Sequence, residues 1–389
     1  MSTESGRPLR VLHVHSGNLF GGVERILETL ACRPTPGLMQ SAFALCFTGR
    51  LSDTLGACGA VVDVLGPVRI SRPWQMLRAQ RALAKVLAAS RPDLAVVHSA
   101  WSHWIFGSTI RRHCPLVRWL HAPETGRSWQ ERAAARVPPS LAICNSRYTR
   151  DASRHLPGVP YVACYAPVAI DVRSDGPSRV AMRQSLQTPL DDVVVVMAAR
   201  MEPWKGHHTL IDALKQLEPG LPWRCWIAGG AQRPSEAAHV EALSAHVAAA
   251  GLTGRVQFIG ERRDVMDVFA AADVYCQPND GAEPFGLSFV EALAAGLPVV
   301  STKLGAVTEI VDDSCALLVP AQSPAALAAA LREVVADAPR RAALSASARV
   351  RARAFTDVPE RLRVLAGVLG QAGASGSGAR REVPVDPSA

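Results

Sequence analysis

Arg200 and Lys205 stand five positions apart in "ARMEPWKGHHTLIDAL", directly after the apolar run "VVVVMA". Two cations at the carboxyl end of a buried strand, with Gly206 opening a helix pattern, suit adjacent phosphates. The guanidinium grips as a planar fork and the ammonium as a point charge. A second pair, Glu283 and Glu291, lies in "EPFGLSFVEALAAGLPVV". The helix expected there leaves the N–H groups of Phe285, Gly286 and Leu287 without intrahelical acceptors, a setting for phosphate or sugar oxygens. Glu283 precedes the helix and reaches a ligand from the loop. Glu291 sits among Val, Ala and Leu, where a carboxylate is costly unless it accepts hydrogen bonds, and a ribose diol is one donor that would satisfy it. Acidic pairs are common on helices. The specific signal is the whole string, with Pro-Phe-Gly between the acids and Gly-Leu-Pro-Val-Val after them.

The first half of the chain carries weaker signals. In "HSGNLFGGVERIL", Gly17, Gly21 and Gly22 precede a helix, so backbone N–H groups can approach an anion. His121 ends "PLVRWLHAPE", and a histidine on a strand tip can hydrogen-bond or exchange protons near neutral pH. Asn145 and Ser146 end the next strand and are read equally well as a helix cap. Trp101, His103, Trp104 and Trp129 fit either an acceptor pocket or aromatic core packing. In the second half, Gly229-Gly230 and the run Gly260 to Asp264 offer exposed backbone to a nucleobase.

These residues need strands to hold them, and the chain supplies a long alternation of short apolar runs and helical patterns. Expected strands are Arg10–His15, Leu94–Ser99, Leu116–His121 and Leu141–Asn145, then Val193–Ala198, Arg224–Ala228, Val256–Gly260, Asp273–Gln277, Pro298–Ser301 and Ala316–Val319. Helical patterns between them include Val23–Ala31, Trp74–Ala89, His207–Leu217, Glu236–Ala250 and Pro324–Val335. Strands so rich in Val, Leu, Ile and Ala, separated by helices, indicate parallel sheets covered on both faces. The alternation breaks over the polar stretch from about Asp171 to Asp192. The expectation is an α/β protein of two doubly wound, Rossmann-like domains facing a cleft, divided as residues 1–175 and 176–356. In such sheets ligands gather beyond the carboxyl ends of the strands, where nearly all the residues singled out above lie. Residues 371–389, "QAGASGSGARREVPVDPSA", have the low-complexity composition of a disordered tail.

Composition sets outer limits. At 389 residues the chain is long for one core, and no apolar run approaches the roughly 18 residues of a spanning helix. No signal peptide is recognised at the start, and nine cysteines without a C-x-x-C pair read as reduced core residues of a cytoplasmic protein. Residues 1–170 hold 20 Lys and Arg against 9 Asp and Glu, while the remainder holds 22 against 25. An arginine-rich proteome explains this blandly. The sharper reading is that the first half meets an anion, either a phosphorylated acceptor or, peripherally, the inner membrane face. Nucleic acid is disfavoured, because no basic–aromatic recognition motif accompanies the charge.

Taken together, the chain resembles the retaining nucleotide-sugar glycosyltransferases of family 4, with GT-B architecture. The likeness runs from "RVLHVHSGNLFGGVERIL" to about Val335 and is strongest in "RMEPWKGHHTLIDAL", "AADVYCQPN" and "EPFGLSFVEALAAGLPVVSTKLGAVTEIV". It implies that Arg200 and Lys205 hold the donor diphosphate, Glu283 lies beside the donor sugar, and Glu291 binds the ribose hydroxyls. It implies backbone contacts to sugar and phosphate from Phe285, Gly286 and Leu287, a phosphate-proximal loop at Gly21 and Gly22, and an active-site role for His121. The last helix, residues 357–370, would cross back to the first domain. The chain departs from the family in "HAPE", which lacks the aspartate often found after the histidine, in Ser314-Cys315 for the usual Asn-Gly, and in the linker "CYAPVAID". The implied donor is a nucleoside-diphosphate sugar, UDP or GDP, and the implied acceptor a glycan, lipid-linked or small-molecule substrate. No Asp-x-Asp motif is present, and no metal or other cofactor is expected. The alternatives are a GT-B-like phosphorylase or sugar-nucleotide epimerase, and a nucleotide-sugar-binding protein without catalysis. A dinucleotide oxidoreductase is disfavoured by the missing G-x-G-x-x-G.

Overall fold

The computed structural model describes residues 7–17, 21–170, 178–231 and 233–374. Residues 371–374, expected to begin the disordered tail, instead continue the last helix, Val358–Ala374. Residues from 375 onward and the linker positions 171–177 lie outside the described residues. The described residues up to Ala169, together with those from Asp357 onward, form one compact unit, and Ile170–Thr356 form the other.

In the first unit the strands are β1 (Leu9–His15), β2 (Met39–Leu45), β3 (Val61–Val64), β4 (Leu94–Val97), β5 (Leu116–Leu120), β6 (Leu141–Cys144) and β7 (Tyr161–Ala163). They make one sheet in the order β3-β2-β1-β4-β5-β6-β7. Every neighbouring pair is parallel, with Val11 opposite both Ser41 and Leu94. β4, β5 and β6 are buried at every position, as expected of strands covered on both faces. The helix Val358–Ala374 packs on this unit, placing Leu362, Leu365, Val368 and Leu369 in one cluster with Leu27, Leu30 and Ile143. Each such leucine contributes about 2 kcal/mol by burial.

The second unit repeats the plan with β8 (Val193–Ala198), β9 (Trp223–Ala228), β10 (Val256–Gly260), β11 (Val274–Gln277), β12 (Val299–Thr302) and β13 (Ala316–Val319). The order is β10-β9-β8-β11-β12-β13, again parallel throughout. In both sheets the winding direction reverses once, between β1 and β4 and between β8 and β11. Main-chain crossovers run away from each other there, which opens a crevice at the carboxyl ends of the strands.

All ten expected strands are present, and β2, β3 and β7 are additional. One expectation about cysteine fails. Seven cysteines are free, but Cys32 and Cys58 are joined in a disulfide. The helices Gly22–Cys32 and Arg50–Ala57 pack together and finish at one level, leaving the two Cα atoms 5.0 Å apart, inside the range a disulfide requires. Among the described residues no helix is long and apolar enough to cross a membrane.

Candidate active site

In the second unit, the loops after β8 and β11 meet at the reversal point. The turn Pro203–Lys205 ends at Gly206, which has φ 81° and begins the helix His207–Leu214. A Cβ on Gly206 would run into the carbonyl oxygen of Pro278, so only glycine lets the two loops come this close. Trp204 completes the join by accepting the N–H of Asp280 at 2.8 Å on its carbonyl oxygen.

This approach brings two predicted residues together. Lys205 Nζ donates to Glu283 Oε2 at 2.7 Å, and both side chains are buried. Gln277 Nε2 and Asn279 Nδ2 donate to the same oxygen, each at 3.2 Å. Those amides are fixed in turn: Gln277 Nε2 also donates to Asn279 Oδ1 at 2.9 Å, and Tyr275 Oη donates to Gln277 Oε1 at 2.6 Å. Three donors therefore converge on Oε2, and Oε1 takes none of these bonds. Lys205 has three N–H groups, of which this contact uses one. Arg200 lies further out, its side chain half-exposed and 3.0 Å from Glu202 Oε2.

Past Glu283, whose carbonyl oxygen accepts the N–H of Ala306 at 2.8 Å, the chain turns into the helix Leu287–Ala295. The first bond of that turn runs from Phe289 N–H to Gly286 O at 3.0 Å. The N–H groups of Gly286 and Leu287 therefore precede the helical ladder, at the positive end of the dipole. Phe285 is buried against Phe355, so its side chain is core. Glu291 is half-buried one turn into the helix, on the side of Ser288, which is 2.8 Å from the Tyr275 hydroxyl. That hydroxyl is held well above its usual titration range, first by burial and further by the charges of Glu283 and Glu291.

In the first unit the corresponding position holds histidines. His13 Nδ1 is 3.1 Å from His98 Nε2, and His98 Nδ1 is 3.0 Å from His121 Nε2. His98 and His121 lie beside Trp119, with His121 stacked on it at 5.5 Å, and His13 stacks on Phe43. A neutral imidazole carries one N–H, so all three rings donate in the same direction. One direction leaves an N–H on His121 Nδ1 and the other leaves a lone pair there. That atom is buried and has no hydrogen-bond partner among the described residues. Burial, with Arg118 adding to it, pushes His121 down to about 3, and burial alone takes His13 to about 3. Both shifts favour the uncharged rings at neutral pH.

Other expectations resolve structurally. Asn145 Nδ2 donates to the His121 carbonyl at 3.1 Å, and Ser146 caps the helix Arg147–Ala152. Gly21 and Gly22 open the helix Gly22–Cys32, whose buried Glu24 accepts from His15 Nε2 at 2.8 Å. The preceding residues 18–20 of that glycine loop lie outside the described residues. His103 is buried and bonded to Val137 O, while Trp104 packs edge-on against Trp129. Glu124, three positions after His121, bonds to buried Arg118 and lies 3.1 Å from His155 Nε2. Burial alone would raise its pKa, but Arg118 and His155 bring it down to about 2. Among the described residues no group of three or more His, Cys, Asp or Glu is placed to hold a metal ion.

Comparison with known proteins fixes the family. Residues 178–351 match the family model described as glycosyl transferases group 1, and residues 20–168 match glycosyltransferase family 4. A D-inositol 3-phosphate glycosyltransferase of Kineococcus radiotolerans is 33% identical over 67% of this chain and 68% of its own length. The chain belongs to the group 1 glycosyltransferases of family 4. A relative of the same name from Xylanimonas cellulosilytica is 38% identical over 47% of this chain, and the match spans only 44% of that relative. Among solved structures, Anabaena HepE in complex with UDP and glucose superposes with a TM-score of 0.80 at 25% identity, covering 93% of this chain and 100% of that one. The two Rossmann-like units are those of the GT-B fold.

Within this family-4 chain, Gln277, Asn279, Tyr275, His13 and His98 are the site residues that sequence reasoning missed. Tyr275, Gln277 and Asn279 left a trace, as polar side chains on alternate positions of an otherwise apolar strand. The turn itself is testable at Gly286, which has φ 95° and where a Cβ would lie 2.7 Å from Phe289 Cδ2. Gly286→Ala should lower stability by about 2 kcal/mol, read as a lower midpoint in urea with unchanged slope. An unchanged midpoint would show that the turn relaxes freely.

Proposed function

We propose that the protein transfers a sugar from a nucleoside-diphosphate sugar to an acceptor hydroxyl, with retention at the anomeric carbon and without a metal ion. The observation that carries this reading is the convergence of Lys205, Glu283, Gln277 and Asn279 with the amino end of the helix Leu287–Ala295 at the reversal point of the second sheet. In the transfer, the bond from the anomeric carbon to the β-phosphate oxygen breaks and a bond from the acceptor oxygen forms. The acceptor proton passes to the departing phosphate. Negative charge builds on that phosphate, and the unused N–H groups of Lys205, the fork of Arg200 and the N–H groups of Gly286 and Leu287 stabilise it as fixed donors. Glu283, locked through Oε2, offers Oε1 to the hydroxyls of the sugar, and Glu291 takes the ribose diol. His121, uncharged, hydrogen-bonds a substrate hydroxyl from either of its two tautomeric arrangements. Phe285 contributes only its backbone, and Gly21 and Gly22 admit phosphate oxygens close to the chain.

For the donor we favour a UDP-sugar, on the likeness to a structure described with UDP and glucose. The acceptor class proposed is a glycan, lipid-linked or phosphorylated hydroxyl compound, on the strength of the basic first unit. Peripheral contact at the inner membrane face is proposed on the same charge. Differential scanning fluorimetry with UDP, GDP, ADP, their sugar conjugates and NAD tests the donor site. UDP should raise the melting temperature, and Glu291→Ala should weaken that binding about 10- to 100-fold, the worth of hydrogen bonds to a charged group. A shift with NAD alone, or with none of them, would remove the reading.

A further inference from the structure

The exposed apolar side chains of this protein are not scattered. Nine large ones are exposed among the described residues, and five fall between Val61 and Leu77. Three of these, Ile70 at 53% exposure, Trp74 at 63% and Leu77 at 50%, span the turn into the helix Pro73–Ser90 and the first two turns of that helix. The same segment is uniformly basic. From Val64 to Pro92 there are six cations, Arg69, Arg72, Arg78, Arg81, Lys85 and Arg91, and no aspartate or glutamate. All six side chains are exposed and none joins an ion pair among the described residues.

Helical geometry sorts these residues into a face. The helix buries Ala79, Leu83 and Leu87, four apart, against its own unit. At about 100° per residue, Trp74, Leu77, Arg78, Arg81 and Lys85 fall within about 60° of one line on the opposite side. The outward stripe therefore contributes nothing to the core. An exposed tryptophan and leucine give up burial free energy for no structural return, and a row of unpaired cations repels itself. Both features are relieved by one kind of partner, a surface that is anionic at its face and apolar just beneath.

We propose that the outward face of the helix Pro73–Ser90, with the turn Arg69–Arg72, docks on an anionic phospholipid bilayer. Ile70, Trp74 and Leu77 enter the headgroup boundary, and Arg72, Arg78, Arg81 and Lys85 hold the phosphate layer. The inference rests on the peripheral contact proposed above and gives that contact a place. A soluble polyanion would satisfy the arginines but leaves the apolar wedge without a purpose, which is why the bilayer is favoured.

The test is co-sedimentation of the full chain with phosphatidylcholine vesicles and with vesicles holding about one third phosphatidylglycerol. Wild type should bind only the second, and more weakly as salt rises. Arg78→Gln/Arg81→Gln/Lys85→Gln should reduce partitioning roughly 100-fold, at about fivefold per cation. Trp74→Ser/Leu77→Ser should abolish quenching of indole fluorescence by brominated lipid. Binding to neutral vesicles as tight as to anionic ones would overturn the inference. So would capture of double-stranded DNA as tight as that of vesicles with no lipid quenching. If wild type binds anionic vesicles and both variants bind equally well, the membrane contact stands and this surface falls. If no vesicle is bound, both fall. The UDP-induced melting shift, measured on every variant, reports folding and the donor site separately.

Discussion

Replacing Lys205 by methionine should reduce sugar transfer roughly 100- to 1000-fold and abolish the melting shift given by the nucleoside diphosphate that stabilises wild type. The size follows from where the cation sits. Its ammonium is buried, 2.7 Å from Glu283 Oε2 and 3.9 Å from the centre of the Trp204 ring. One N–H is spent on the carboxylate, and the others stay ready for phosphate oxygens in a site of reduced dielectric. Methionine keeps the stem and removes the charge. It also leaves a buried carboxylate without its cation, which costs about 3 kcal/mol. The accompanying loss of stability complicates a single variant, and the double variant Lys205→Met/Glu283→Gln separates the two effects. With both charges gone, Gln277 and Asn279 still hydrogen-bond the amide oxygen, and most of the lost stability should return. Activity should not return, because the phosphate has lost its cation and the sugar its carboxylate. Stability costs that simply add in urea titrations would contradict the direct pairing. A Lys205→Met enzyme that keeps nucleotide affinity within a few-fold would remove the phosphate role.

The same pair shows where reading from sequence stops. Lys205 and Glu283 each stand out in the sequence as candidate ligand contacts, one as a cation after a buried strand and the other as an acid before a helix. Their contact was not, because 78 residues separate them and only the order β8-β11 within the sheet sets their loops side by side. The histidine chain is a parallel case. His13, His98 and His121 come from β1 and the ends of β4 and β5, which are neighbours in the sheet though 85 and 23 residues apart. A histidine near the end of each of three strands was visible, but strand order is a long-range property that single-strand patterns do not encode.

The strands that were hard to find have a common physical reason. β4, β5, β6, β8 and β11 are buried on both faces and advertise themselves as apolar runs. β3 forms an outer edge, with Val61 and Val64 exposed and Asp63 within it. β7 spans three residues at the other edge, and β2 is fully buried only over its second half. Half-solvated edges need no continuous apolar signal. Turn chemistry, by contrast, was local and therefore legible. Gly296 ends the helix Leu287–Ala295 with φ 81°, and Pro298 follows before β12, as the Gly-Leu-Pro spelling requires.

Acid should unfold this protein well before its carboxylates are neutralised, because the surroundings of buried His13 and half-buried His121 disfavour their charged forms. Each has its pKa pushed by burial from 6.5 to about 3, and His98 between them is depressed as well. In the unfolded chain all three take up protons below pH 6.5, while in the native state they do not. Stability is therefore complete above pH 6.5 and falls as the pH is lowered toward 3. Each ring costs about 1.4 kcal/mol per pH unit over that window, so His13 and His121 alone remove about 5 kcal/mol between pH 6.5 and 4.5. Domains of ordinary stability hold about 5–15 kcal/mol in total, and a loss of that size takes the first unit close to its unfolding point. Glu124 acts in a lower window. Burial opposes its charge, but Arg118 and His155 hold it ionised down to about 2, so its contribution is present above pH 4.5 and lost only below that. Scanning calorimetry from pH 7.5 to 4.5 should show the transition falling steeply beneath pH 6.5. His13→Asn, which cannot titrate, should lower stability at pH 7.5 and flatten the descent by about 1.4 kcal/mol per pH unit. A melting temperature that stays level down to pH 5 would mean that these rings are charged, or reach water, in the native protein. The uncharged hydrogen-bonding role of His121 would fall with that result.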